Sequence, residues 1–178
     1  MITVRTTKNC PNTPRILMGL EEFGLPYECT LVEDGTFTKN YGSPGPEIID
    51  GDVHVIEPLA IFRHLVRREN GKLWPTSLQQ QADADRWLDF QGRRLSGAIG
   101  AKNVEEIMRL LGFVEAQVAK ATWFLGEDFT MVDVVWSIVA QPQMKAMLPV
   151  AKFPALAAYT ERMAARPAFT RGIERTLR

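Results

Sequence analysis

The sequence predicts an α/β half followed by an all-α half, and three observations carry that prediction. Ile2 and Val4 alternate with Thr3 and Arg5, helical spacing follows, and a β-rich run, Tyr27-Glu28-Cys29-Thr30-Leu31-Val32, comes straight after. Two further β-rich runs flank Asp50-Gly51 as a hairpin. Beyond Thr76 the strand signal stops and apolar residues recur at helical spacing. The expected domains are therefore 1–70 and 77–178, with a linker over about 69–76 that holds Asn70-Gly71 and Trp74-Pro75.

Composition narrows the function classes. A chain of 178 residues with 46% hydrophobic content buries a sizeable core. Its 21 basic and 21 acidic residues cancel, so no general field favours nucleic acid or anionic lipid. Arg166, Arg171, Arg175 and Arg178 are spaced along a helical pattern and read as a solvated face. No apolar signal core precedes the first strand, and no hydrophobic run is long enough to span a bilayer; the expectation is a cytoplasmic protein that does not engage membranes. Two cysteines and two histidines make neither a disulfide framework nor a ligand set at metal spacing, so no metal is expected. Cys29, on the second strand, is expected to fill core.

The elements follow in order. Ile16, Leu17, Leu20 and Phe23 form one face of a first helix behind Asn12, Thr13 and Pro14, which suit a cap and first turn. Gly24-Leu25-Pro26 stops it, and the next strand implies a right-handed parallel crossover. Residues 33–46 hold Gly35, Gly42, Pro44, Gly45 and Pro46, leaving room for at most a turn of helix in a loop. After the hairpin of residues 47–56, in which His54 has a structural place, Glu57-Pro58 opens a helix with Ala60, Ile61, Leu65 and Val66 inward and Arg63, His64, Arg67 and Arg68 outward. In the second half Ala84, Trp87, Leu88, Gln91 and Leu95 line a helix that Gly97 and Gly100 are expected to end. Asn103 with Glu106 starts another, striped by Ile107, Leu110, Leu111, Val114, Val118 and Ala121. Thr130-Met131-Val132-Asp133 reads as a capping box, with Phe129 placed to staple onto Val134 and a helix apolar all round behind it. Pro154 and Pro167 then open the closing helices.

The candidate chemistry lies at Cys10, where the first strand turns into the first helix. Unpaired N–H groups at a helix start carry about half an elementary charge, attracting the negatively charged sulfur that acts as nucleophile. The dipole contributes roughly 0.3–1 kcal/mol when exposed, so strong activation needs a further donor; Lys8 is the nearby cation. The competing reading is a partly buried cysteine that packs as a small hydrophobe. The tetrad Cys10-Pro11-Asn12-Thr13 resembles the Cys-Pro-x-Cys or Cys-Pro-x-Ser turn of glutaredoxin-like folds, in a monothiol version.

The whole order of parts resembles the glutathione transferase superfamily, a thioredoxin-like domain followed by a helical-bundle domain. Leu20-Glu21-Glu22-Phe23-Gly24-Leu25-Pro26-Tyr27-Glu28 is similar to the first-helix exit of many bacterial members, and Pro46 with Glu57-Pro58-Leu59-Ala60-Ile61 to the run from a cis-proline to the third helix. Phe124 through Asp133 resembles the family's capping-box segment, and Phe153-Pro154-Ala155-Leu156 with Ala165-Arg166-Pro167-Ala168-Phe169 its closing helices. The resemblance implies a glutathione co-substrate, a small electrophile or disulfide as second substrate, and a homodimer. It places Cys10, or Thr13, beside the glutathione sulfur, as in cysteine-type members. It also places Asn12, Gly45 and Pro46 along the peptide, and Glu57 and Pro58 at its γ-glutamyl end. Arg86, Phe90, Arg93 and Arg94 are implied for the electrophile pocket.

Two departures bear on affinity. Pro58 stands where the family carries serine, removing a hydroxyl and an N–H; a lost charge-assisted hydrogen bond is worth roughly 1.5–3 kcal/mol. The segment before Pro46 is also short. The sequence thus supports a glutathione-dependent transferase or thiol-disulfide exchange enzyme, and alternatively a non-catalytic binding or assembly module that has lost tight glutathione binding.

Overall fold

The computed structural model describes residues 1–176, which divide into two compact units, Met1–Lys72 with the segment from Ala168, and Leu73–Pro167. No helix among the described residues is long and apolar enough to cross a membrane.

The first unit is a four-stranded sheet in the order β2-β1-β3-β4, built from β1 (Ile2–Thr6), β2 (Tyr27–Leu31), β3 (Glu47–Asp50) and β4 (Val53–Ile56). β1 pairs parallel with β2 and antiparallel with β3, so the crossover through α1 (Thr13–Phe23) has the expected form. The short helix α2 (Thr36–Tyr41) occupies the loop, and α3 (Pro58–Arg68) follows the hairpin. Ile2, Val4, Ile16, Leu17, Ile48, Ile61 and Leu65 form the core. Cys29 departs from expectation: it is exposed, because β2 is an edge strand whose side chains from Glu28 to Leu31 are all uncovered. The closing helix, α10 (Pro167–Thr176), belongs here too: a Cβ on Gly172 would meet the Pro14 carbonyl oxygen at 2.7 Å, so the missing side chain permits its close approach to α1.

Its arginines are not a merely solvated face. Arg171 Nε donates to Glu21 at 2.5 Å, Arg175 pairs with the same carboxylate at 3.3 Å, and the Arg175 guanidinium lies over the Tyr27 ring. Arg178 lies outside the described residues.

The second unit is helical: α4 (Leu78–Asp89), a π-helical segment (Phe90–Leu95), α5 (Ser96–Gly100), α6 (Val104–Val118), α7 (Met131–Trp136), α8 (Pro142–Met147) and α9 (Pro154–Ala164), with 3₁₀ turns after α7 and before α9. Gly97 does not end the first of these. A lone glycine costs about 1 kcal/mol in a helix, which burial of Leu95 and Ala98 on either side outweighs; the stop comes at Gly100, as expected, and Lys102 then takes a left-handed conformation before Asn103 caps α6 by accepting from Glu106 N–H at 3.1 Å. Trp87, Phe124, Trp136 and Tyr159 form an aromatic core, with Phe124 and Trp136 stacked at 4.8 Å. Asp133, fully buried at the start of α7, accepts from the N–H groups of Thr130 and Phe124 and from the hydroxyls of Thr130 and Tyr159. Phe129 rests edge-on against Trp123 with the Arg166 guanidinium 3.6 Å above its ring. Glu115 of α6 reaches across to accept from Ala155 and Leu156 N–H, capping α9.

Candidate active site

Strand register brings three loops to one end of the sheet. Arg5 pairs with Glu47, and Glu47 with Ile56. The chain after β1, the chain before β3 and the chain after β4 therefore emerge side by side, carrying Cys10, Gly45-Pro46 and Glu57-Pro58. The starts of α1 and α3 point to the same end, each offering uncompensated N–H groups where negative charge is stabilised.

Cys10 sits in a tight turn, its N–H donating to the Thr7 carbonyl at 3.4 Å and its carbonyl accepting from Thr13 N–H at 3.2 Å. It is 9% exposed, close beneath the surface. The buried Thr13 hydroxyl is 2.5 Å from that of Thr6, tying helix to strand. Asn12 takes the N-cap position without a side-chain cap bond, and its Oδ1 accepts from Arg15 at 2.5 Å.

The Gly45-Pro46 peptide bond is cis. Gly45 has φ +79°, and a Cβ there would lie 2.2 Å from the Phe37 ring, so only glycine lets the loop pass that side chain. Its N–H donates to the Ser43 hydroxyl at 3.2 Å, so that donor is already used. Glu57 is exposed and held at φ 78°, ψ 125°, a conformation disfavoured for any side-chain-bearing residue and characteristic of functional turns. Pro58 is buried at the first position of α3.

Comparison with known proteins bears on the family and the fold. Residues 99–167 match the family model described as the glutathione S-transferase C-terminal domain. Glutathione S-transferase 4 of Zea mays is 27% identical over 89% of this chain and 85% of its own, and GstB of Escherichia coli K12 is 29% identical over 75% and 79%. These likenesses together support membership of the glutathione transferase superfamily. Its fold superposes on a glutathione S-transferase from Actinobacillus pleuropneumoniae with a TM-score of 0.84 at 22% identity, covering 99% of this chain and 93% of that one. A theta-class glutathione S-transferase from Xanthomonas axonopodis pv. citri, solved with glutathione bound, gives 0.78 at 24% identity, covering 97% and 96%.

The structure adds residues that sequence reasoning did not single out. Arg15 is buried on the first turn of α1, its guanidinium over the Phe62 ring; burial lowers its pKa to about 10, and the nearby Cys10 acts in the opposite sense. A guanidinium on that turn is a positive charge of the kind that attracts a thiolate. The available signal was a charged residue inside an otherwise apolar helical stretch. Glu47, directly after the cis-proline, is fully buried and accepts from Arg5 at 2.5 Å, with His54 Nε2 at 2.6 Å on its other oxygen. That pairing anchors β3 where the loop leaves it. His64, expected to be solvated, lies 2.9 Å from Asp50 and links α3 to the sheet.

Proposed function

We propose that this chain is a glutathione-dependent thiol transferase whose nucleophile is Cys10. The observation that carries the reading is Cys10 in the turn before α1, on the sheet end that also bears the cis-Pro46 loop, with the buried Arg15 on the first turn of that helix. Glutathione lies along that loop, its γ-glutamyl carboxylate toward the start of α3 beside Glu57. The Cys10 thiolate attacks the glutathionyl sulfur of a mixed or symmetrical disulfide; a Cys10–glutathione disulfide forms and the partner leaves as a thiolate. A second glutathione thiolate then attacks the glutathionyl sulfur, releasing oxidised glutathione and restoring the Cys10 thiolate. Thr13 has its hydroxyl engaged with Thr6 and serves here in holding the turn.

Intact mass spectrometry after incubation with oxidised glutathione tests this step. A single glutathione-sized adduct is expected in the wild type and in Cys29→Ser, and none in Cys10→Ser. The exposed Cys29 makes that second variant necessary: an adduct that follows Cys29, or none at all, rejects the exchange reaction.

A second reading, a binding or assembly module without catalysis, is favoured by Pro58 at the start of α3 and by the slight exposure of Cys10. It predicts no change in melting temperature with millimolar glutathione. A rise of several degrees, as expected well above the dissociation constant, would reject it.

A further inference from the structure

The sheet ends at β2, and the outer side of that strand has no partner among the described residues. Two hydrogen bonds fix which backbone groups face outward. The Pro26 carbonyl accepts from Ile2 N–H at 3.2 Å and Val32 N–H donates to the Thr6 carbonyl at 2.8 Å, so the residues flanking β2 both turn toward β1. Backbone groups along a strand alternate in direction from residue to residue. Glu28 and Thr30 therefore bond to β1, while Tyr27, Cys29 and Leu31 each turn an N–H and a C=O away from it.

An edge of this kind is a template for another strand, and natural edges are guarded by lysine, proline or a bulge. Tyr27–Leu31 holds neither lysine nor proline, and it pairs with β1 in unbroken register from Ile2 and Tyr27 to Thr6 and Leu31. From Glu28 to Leu31 every residue is exposed, Leu31 at 65%.

The strand is also complementary to itself when reversed. With a two-fold axis through Cys29, antiparallel copies set Cys29 opposite Cys29, Tyr27 opposite Leu31 and Glu28 opposite Thr30. Residues with outward groups then meet only one another, so all of those donors and acceptors are paired. On one face the exposed Leu31 meets the Tyr27 ring, a cross-strand pair of the stabilising kind. On the other, Glu28 lies opposite Thr30 on the row that continues to Arg5 of the second copy, and no like charges meet. An axis through Glu28 would instead oppose two carboxylates, and one through Thr30 would set Tyr27 against Glu33, beyond the end of β2.

We propose that β2 pairs antiparallel with β2 of a second copy of this chain, joining the two four-stranded sheets into one. Neither Cys10 nor the Gly45-Pro46 loop takes part, so the pairing does not rest on thiol transfer.

Residue-resolved amide hydrogen exchange on the whole protein tests the pairing, with dithiothreitol present so that no disulfide through Cys29 contributes. Raising the protein from micromolar to millimolar concentration should slow exchange of the Tyr27, Cys29 and Leu31 N–H groups about tenfold or more. The Glu28 and Thr30 N–H groups, already bonded to β1, should be slow at both concentrations. Sedimentation velocity over the same range should show the mass doubling. Leu31→Lys, at an exposed position, and Cys29→Pro, which removes an outward donor, should each abolish the slowing and the doubling; if Cys29→Pro does not fold, Leu31→Lys decides. Cys10→Ser should keep both effects, which separates this result from the fate of the thiol-transfer reading. Fast exchange of the three outward N–H groups at high concentration, or slowing that survives Leu31→Lys, would overturn the proposal. So would a doubled mass without slowing at β2, because the copies would then meet through another face.

Discussion

Glu21 in the sheet unit and Asp133 in the helical unit are both largely buried carboxylates, yet their surroundings drive them in opposite directions. Burial would raise Glu21, but hydrogen bonds from Arg171 and Tyr27 and the charge of Arg175 outweigh it and hold the carboxyl below its ordinary range. Burial dominates at Asp133 and pushes it up to about 6, although two backbone and two hydroxyl donors oppose the shift. The sheet unit meets buried charge with countercharge brought from the far end of the chain. The helical unit meets it with neutral dipoles inside an aromatic core. Countercharge near the surface tolerates the loss of one partner, while a network of buried donors does not.

The pH dependence follows from the sign of each shift. At Glu21, and at Asp50, where His64 and Arg68 overcome the upward effect of burial, folding favours the ionised form. Their contribution is present above the unfolded values of 4.5 and 3.8 and is lost as pH falls through the lower folded ones. At Asp133 the folded protein keeps a proton that the unfolded chain has released, so its contribution is complete below 3.8 and is lost as pH rises through about 6. The shift corresponds to about 3 kcal/mol.

The most severe break should come from Asp133→Ala, which strands four donors in the core. A loss of about 4 kcal/mol is expected in urea unfolding at pH 7. Asp133→Asn should be milder, and should flatten the pH dependence between 4 and 6; an unchanged slope would show that Asp133 does not titrate there. In the sheet unit Gly45→Ala should cost about 3 kcal/mol, because its Cβ overlaps Phe37 at a positive φ, read as a lowered denaturation midpoint. Gly172→Val should cost about 2 kcal/mol by pushing α10 from α1. Hydrogen exchange should then show faster opening in the closing helix and no change in α7. Glu21→Gln is the gentlest, about 1 kcal/mol, because Arg171 and Arg175 are half-exposed. Its deficit should shrink as the pH is lowered below 4; a deficit constant with pH would mean that packing, not charge, holds the helix.

Much of the site was legible because it rests on local signals. A cysteine before a helix start, a glycine-proline pair before a strand and a Glu-Pro helix opening are short-range features, and sheet register then brings them to one end. Arg15 and Glu47 were not legible, since a charged residue in an apolar stretch does not announce which partner compensates it. Cys29 misled for a related reason: alternation marks a strand but not whether that strand has a neighbour on both sides.

The sequence by itself determined the order of the strands and of the longer helices, the parallel crossover, the hairpin, the capping box at Thr130 and the loop carrying Cys10. Each depends on residues within a few positions of one another, where backbone propensity and side-chain period decide the outcome. Only the tertiary structure decided that α10 returns to the sheet unit through Gly172, that Arg171 and Arg175 share Glu21, and that the Trp87 Nε1–H is buried without an acceptor among the described residues. Those outcomes depend on which surfaces meet across distant stretches of chain, and the energy of such a meeting belongs to both sides at once.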